Sequence, residues 1–291
     1  MKPAVDKTVQ DLLISKLKDI ENYFDCDAIS YFGSIVNGNE NSVLNIVEEL
    51  VNDPDKKDKI FVILTTGGGS TTAVERYVNI LRKHYSEVNF IVPDFAYSAG
   101  TIFCMSGDYI FMDYFSVLGP IDPQIQNKEG KFVAALGYLD KINELILKAK
   151  NNELTQAEFL ILKDFDLAEL RGYEQAKELT ISLLKKWLVK YKFKNWTKHM
   201  TNPALLGTDV TDEQKQARAE EIADKLSDNK IWKSHGRPIN IDCLENELRL
   251  KIEDYSNNEA LRNLIRSYYE LLSDYVSKNR VPIFVHTRKF I

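Results

Sequence analysis

Up to Gln124 the apolar positions fall into short, nearly unbroken runs, each followed by a segment of helical period. KIFVILTT, from Lys59, and VNFIVPD, Val88 to Asp94, predict buried strands, because β-branched and aromatic residues dominate them without polar alternation. A strand through Ile29 to Ile35 and a helix at Asn41 to Asn52 precede them, STTAVERYVNILRKHY predicts a helix between them, and YIFMD, Tyr109 to Asp113, predicts a further strand. This alternation, led by a helix near Thr8 to Phe24, indicates an α/β fold with a mainly parallel, covered sheet. Beyond Gln124 the period becomes helical at Leu139 to Lys150, Thr155 to about Lys194, and Asp212 to Ser227. Thr155 with Glu158 and Thr211 with Gln214 have capping-box spacing. The chain closes with the periodic helix NEALRNLIRSYYELLSDYVSK and VPIFVHT, a strand expected to complete a sheet edge. The expected organisation is a helical extension over 1–26, an α/β core with inserted helices over 27–250, and a C-terminal helix and strand over 251–291.

Two short segments carry the candidate chemistry: TTGGGS, Thr65 to Ser70, and AYSAGT, Ala96 to Thr101. Each joins a predicted strand to a predicted helix, so both should emerge at one strand edge, where α/β proteins place their sites. Gly67, Gly68 and Gly69 leave the backbone bare, so successive N–H groups can surround a negative oxygen. Ser98 at a helix mouth adds a hydroxyl. The pair supplies a nucleophile and an oxyanion hole. The structural alternative is an ordinary strand-to-helix turn with Ser98 as an N-cap. AYSAG also approaches the G-x-S-x-G nucleophile elbow with alanine first, but its spacing suits that family's sheet poorly.

Composition narrows the classes. With 291 residues, 44% of them hydrophobic, the chain can bury a large core, and no Pro/Gly/Ser-rich linker divides it. A net charge of −5 argues against a dedicated nucleic-acid binder. One stretch dissents: KKWLVKYKFKNWTKH, Lys185 to His199, interleaves lysines with Trp187, Tyr191, Phe193 and Trp196, as a nucleic-acid or anionic-membrane surface would. It reads better as the amphipathic end of the long helix before it, with its lysines at the negative end of the dipole. Cys26, Cys104 and Cys243 are scattered without a C-x-x-C, which argues against a disulfide framework or a structural zinc site and for a cytoplasmic protein. The N-terminus lacks an apolar leader core, and no apolar run is long enough to span a bilayer.

The ordered set YFGSI (Tyr31 to Ile35), TTGGGS, YSAGT and LGPIDPQ (Leu118 to Gln124) resembles the ClpP and signal-peptide-peptidase branch of the ClpP/crotonase superfamily. Within that branch it is most similar to the serine dehydrogenase proteinase, or SDH-type, group, whose members carry SAGT and GPIDPQ-like motifs. The likeness covers Ala28 to Gln124 and thins beyond to a helical region and the phrase HGRPI, His235 to Ile239. It implies a spiral of β-β-α units, a ring or stacked homo-oligomer, and ATP-independent serine peptidase chemistry on a peptide or protein substrate. It leaves room for a partner protein and implies no metal or nucleotide cofactor. By the same likeness Ser98 matches the nucleophile, and Gly68 with the amide of Ala99 matches the oxyanion hole, to which Gly69 is added as a neighbouring donor. An expected lack of a membrane anchor would depart from many signal-peptide peptidases.

The general base is where the resemblance breaks. ClpP places a histidine about twenty-five residues after its serine, whereas here that position holds Asp122-Pro123-Gln124, and no histidine lies between His84 and His199. His235 is the expected base. It follows the helical region and precedes a small helix, INIDCLENEL, with Asp122 expected to orient its imidazole, so that acid and base exchange their usual places in the triad. The structural alternative makes His235 a turn residue and Asp122 a turn former before Pro123. A serine-lysine dyad is the runner-up, with Lys141 or Lys177 as the base. Structural roles suffice for His84, His199 and His286. The rival from another class is a catalytically inactive ClpP-fold assembly or scaffold protein. A crotonase-type acyl-CoA enzyme is a third option, less well matched because Ser98 follows its strand in the peptidase manner.

Overall fold

In the computed structural model of the chain, the described residues are 4–122, 124–126, 132–164, 166–200 and 203–291. After α1 (Ala4–Phe24) the core alternates as β1 (Asp27–Gly33), α2 (Glu40–Val51), β2 (Lys59–Thr65), α3 (Thr71–His84), β3 (Glu87–Val92), β4 (Phe95–Ala96), α4 (Ala99–Met105), β5 (Tyr109–Met112) and β6 (Val117–Leu118). An antiparallel pair, β7 (Gln124–Gln126) and β8 (Phe132–Ala134), precedes the helices α5 (Ala135–Lys150), α6 (Gln156–Lys163), α7 (Leu167–Trp187), α8 (Asp212–Ser227), α9 (Asn229–Trp232) and α10 (Ile241–Asn246). The chain ends with β9 (Glu253–Asp254), α11 (Glu259–Asn279) and β10 (Ile283–His286).

The main sheet has the order β10-β1-β2-β3-β5-β9. Its strands are parallel except β10, which runs antiparallel along β1 at one edge. Unbroken apolar runs arise because both faces are covered. On β2, Ile60, Val62 and Leu64 join one buried cluster, whereas Phe61 and Ile63 join the other, as the two-residue period of a strand requires. The first cluster lies under α2, α3, α4, α7, α8 and α10. The second is closed by α1, through Leu13, Leu17 and Ile20, and by α11, through Ile265, Tyr268 and Leu272. Arg288, just past β10, ties this end of the sheet together through Glu21 at 2.7 Å, Asp27 at 2.8 Å and Asp53 at 3.3 Å.

The helical region departs from expectation at the short helix α9 and, more substantially, between Thr155 and Lys194. Instead of one helix from Thr155 to about Lys194 there are α6, α7 and a π-helical turn, Leu188–Lys192. Asp164 closes α6, and the Asp166 carboxylate accepts from the Ala168 N–H at 2.8 Å to open α7. Both expected capping boxes form, at Thr155 with Glu158 and at Thr211 with Gln214.

The cationic stretch from Lys185 packs inward. Trp187 and Phe193 are buried, Arg82 stacks 3.8 Å over the Tyr191 ring, and Lys185, Lys194 and Lys198 pair with Glu220, Asp108 and Asp209. Lys192 is desolvated, which lowers its pKa to about 8.

Candidate active site

Three backbone ribbons meet at the carboxyl edge of the parallel strands. Thr66 bridges to Ala96, β4 pairs with β6 so that Ala96 faces Leu118, and Leu118 bridges antiparallel to Ile239. Ser98 lies two residues beyond Ala96, and Asp122 lies four beyond Leu118. His235 lies four before Ile239 on the antiparallel partner. All three therefore leave the ribbon at the same end.

Ser98 occupies a conformation that L residues rarely adopt, with φ 54° and ψ −117°. The Gly100 N–H donates to the Tyr97 carbonyl at 2.8 Å, so Tyr97–Gly100 forms a type II′ turn with serine at the position that normally requires glycine. This strained strand-to-helix turn is the device by which a nucleophile elbow exposes its hydroxyl. Ser98 does not cap the helix, and among the described residues its Oγ has no hydrogen-bond partner.

The glycine turn is fitted against it. Gly68 has φ +107°, and a Cβ there would sit 2.8 Å from the Ser98 Cβ and 2.9 Å from the Tyr97 carbonyl oxygen. Gly69 has φ +140°, and its Cβ would fall 2.0 Å from the Ile35 carbonyl oxygen, because Ile35 hydrogen-bonds to both sides of Gly69, accepting from Ser70 and donating to Gly68. The Gly68 N–H donates to Thr66 Oγ1 at 3.0 Å, whereas among the described residues the amides of Gly69 and Ala99 have no acceptor. Gly68 thus contributes the space for Ser98, and the two unengaged amides belong to the residues that follow Gly68 and Ser98 in the chain.

Asp122 and His235 come together across 113 residues of sequence, with His235 Nδ1 2.8 Å from Asp122 Oδ1. Asp122 is buried and His235 part-exposed, so the imidazole faces outward from a carboxylate held inside. The Asp122 segment is fixed by the Ile121 N–H donating to the Leu226 carbonyl at 3.0 Å, and the histidine loop by the Ile239–Leu118 bridge. Neither residue hydrogen-bonds to Ser98. Of the alternative bases, Lys141 pairs with Glu144 at 3.0 Å on an exposed helix face, and Lys177 lines a cleft of about 710 Å³ between α5 and α7 with Asp140, Arg171 and Glu174.

Two residues that sequence reasoning passed over support this geometry. Thr101, fully buried, places Oγ1 2.8 Å from the Ala96 carbonyl, 2.9 Å from the Gly119 carbonyl and 3.0 Å from the Gly119 N–H. Its signal was visible as the one hydroxyl in the buried helix AGTIFCM. Gly119 lets the Tyr97 ring lie against the backbone, 2.2 Å from where a Cβ would be. Burial pushes the thiols of Cys26 and Cys104 far above the thiol range and that of Cys243 up to about 11, which disfavours the thiolate at all three. Among the described residues there is no cluster of His, Cys, Asp and Glu able to hold a metal ion.

A covered, mostly parallel sheet with a serine elbow against a glycine turn at its carboxyl edge is the arrangement of a ClpP-like α/β protein. The family model for ClpP-like SDH-type serine proteinases matches residues 32–209, and the chain belongs to that family. Two uncharacterized proteins of Methanocaldococcus jannaschii are similar to it, one 28% identical over 218 residues, covering 74% of this chain and 56% of that protein. The other is 37% identical over 134 residues, covering 43% and 45%. The chain thus spans about half the length of the curated relatives it matches. Among solved structures, a mutant of the 1510-N membrane-bound stomatin-specific protease aligns with 81% of this chain and 82% of its own, at 12% identity and a TM-score of 0.44. No helix among the described residues is long and apolar enough to cross a membrane.

Proposed function

We propose that the protein is a serine peptidase that cleaves peptides, without ATP, through an acyl-enzyme at Ser98. Ser98 Oγ attacks the scissile carbonyl, and His235 takes its proton through Nε2 while Nδ1–H stays on Asp122. The oxyanion is received by the amides of Gly69 and Ala99. His235 then returns the proton to the leaving amine, and water attacking by the same route releases the acyl group. The observation that carries this reading is the type II′ turn at Ser98 packed on Gly68: strain is placed on a hydroxyl that makes no structural hydrogen bond. Contact between His235 and Ser98 belongs to the substrate complex, since catalytic hydrogen bonds commonly tighten only when substrate is bound.

The same reading includes a homo-oligomer. Leu147, Phe159, Leu160 and Ile161 on α5 and α6 are each more than half exposed, and α6 has no buried residue, an apolar surface of the kind that assemblies cover. One observation favours the scaffold reading instead: Ser98 Oγ has no base on it.

Labelling with a fluorophosphonate across sedimentation fractions separates the two. The peptidase reading expects a labelled species heavier than the 33.5 kDa chain, no label in Ser98→Ala, and rates reduced about 100-fold or more in His235→Ala and Asp122→Asn. Lys141→Ala and Lys177→Ala should keep the wild-type rate. Absence of label in wild type, or loss of it in a lysine variant with His235→Ala still active, would refute the assignment.

A further inference from the structure

We propose that Thr101 is a positioning residue that couples the Ser98 turn to the Asp122–His235 pair, through one buried hydroxyl shared between the two segments that carry them. The proposal rests on reading Ser98, His235 and Asp122 as one reacting group.

The hydroxyl has one proton and two lone pairs. It accepts the Gly119 N–H at 3.0 Å and has two carbonyls in reach of its proton, Ala96 at 2.8 Å and Gly119 at 2.9 Å. Ala96 is the last strand residue before the Tyr97–Gly100 turn, and Thr101 is the first residue after it. The bond to Ala96 therefore closes the turn that holds Ser98 from outside its own hydrogen bond. Gly119 lies three residues before Asp122, in a segment whose other backbone tie, among the described residues, is the bond from the Ile121 N–H to the Leu226 carbonyl. Thr101 is completely buried, and valine would fill the same volume, which leaves no room for a water in place of the hydroxyl.

With an isosteric methyl in place of Oγ1, the Gly119 N–H loses its acceptor in a dry site, and the 119–122 segment must shift to find another. Asp122 moves with that segment, whereas His235 is held by its own bridge at Ile239. Their 2.8 Å contact is then the distance that changes. Serine keeps the hydroxyl and gives up only a methyl group.

The test compares wild type, Thr101→Val and Thr101→Ser by two readouts. The first is the ¹⁵N-histidine spectrum of the full chain at a pH where His235 is neutral, with the His235 signals assigned by their loss in His235→Gln. Wild type and Thr101→Ser should carry the proton on Nδ1, and Thr101→Val should shift population to the Nε2–H tautomer, as Asp122→Asn does. The second is the rate of Ser98 phosphonylation, expected to fall at least 10-fold in Thr101→Val, to recover within 3-fold in Thr101→Ser, and to fall little further when Thr101→Val is added to Asp122→Asn. A purely structural Thr101 would lower both backgrounds equally and leave the tautomer alone. A wild-type tautomer in Thr101→Val, or a wild type without the Nδ1–H form, overturns the proposal. If wild type is never labelled while the tautomer responds as stated, the coupling stands and the peptidase reading fails.

Discussion

Replacing Ser98 with glycine should make the protein more stable while removing the proposed nucleophile. The backbone at φ 54°, ψ −117° is one that glycine adopts freely and a residue with a Cβ does not, at a cost of roughly 1–3 kcal/mol. Glycine returns about 0.5–1 kcal/mol of that through its greater freedom in the unfolded chain. The Ser98 hydroxyl makes no hydrogen bond among the described residues, so its loss costs nothing further. The net gain lies within about 0–2.5 kcal/mol and is centred near about 1 kcal/mol. With an unfolding entropy of about 2.1 cal/mol/K per residue over 291 residues, a gain of that central size raises the melting temperature by roughly 1–3 °C. Ser98→Ala is the control, because it removes the same oxygen and keeps the same strained Cβ. Urea unfolding of the three proteins resolves the difference better than melting alone. If Ser98→Gly is no more stable than Ser98→Ala, the turn stores no strain at Ser98, and the argument for a nucleophile from backbone geometry fails.

At the facing turn, Gly69→Ala should unfold or strongly destabilise the protein, by about 3 kcal/mol or more, because the new Cβ meets the Ile35 backbone oxygen at 2.0 Å. Gly67→Ala, with open space around it, should lie within about 0.5 kcal/mol of wild type by urea unfolding, and similar midpoints for the two would refute the packing. Acid should act through His286, whose burial lowers its pKa to about 4, so the folded state keeps it neutral while the unfolded chain takes up a proton below about 6.5. Stability is then unaffected by this group above pH 6.5 and falls between about 6.5 and 4, by up to roughly 3 kcal/mol. His286→Gln should flatten that slope in urea midpoints measured from pH 7 to 4.5, and an unchanged slope would exclude His286 as the cause.

Where an element's own residues dictate it, the sequence was enough to find it. Ile60 to Leu64 had to be a strand covered on both faces, because consecutive residues are apolar while a strand turns them to opposite sides. The break between α6 and α7 was hidden because apolar residues continue at helical spacing through LKDFDLAEL. Its only signal is the pair Asp164 and Asp166, which end one helix and start the next. β9 is just Glu253 and Asp254, with no apolar pattern, and is a strand only because β5 offers it an edge. The tandem TTGGGS and YSAGT could be read as two turns at one edge, but the type II′ geometry depends on the Tyr97–Gly100 hydrogen bond, which no spacing rule specifies. The approach of His235 to Asp122 is equally tertiary, set by an antiparallel bridge at Ile239.

What the sequence spends on the site is mostly the absence of side chains. A Cβ at Gly68 would strike Ser98, at Gly69 the Ile35 carbonyl, at Gly100 the Thr66 methyl at 2.4 Å, and at Gly119 the Tyr97 ring. Each contact joins two of the segments that meet around Ser98, so the ribbons can approach only with glycine at these positions. Outside that meeting point Gly33 and Gly107 are also tight, against the Pro282 carbonyl oxygen at 2.3 Å and the Phe90 ring at 2.6 Å, whereas Gly137, Gly172 and Gly236 would place a Cβ against nothing closer than 3.9 Å. A protein that needed only a stable turn could meet it with one permissive residue. Four close approaches around a strained, unengaged hydroxyl instead lock the glycine turn, the serine turn and the 119–122 segment against one another, and rigidity of that kind is what the proposed oxyanion hole at Gly69 and Ala99 would need.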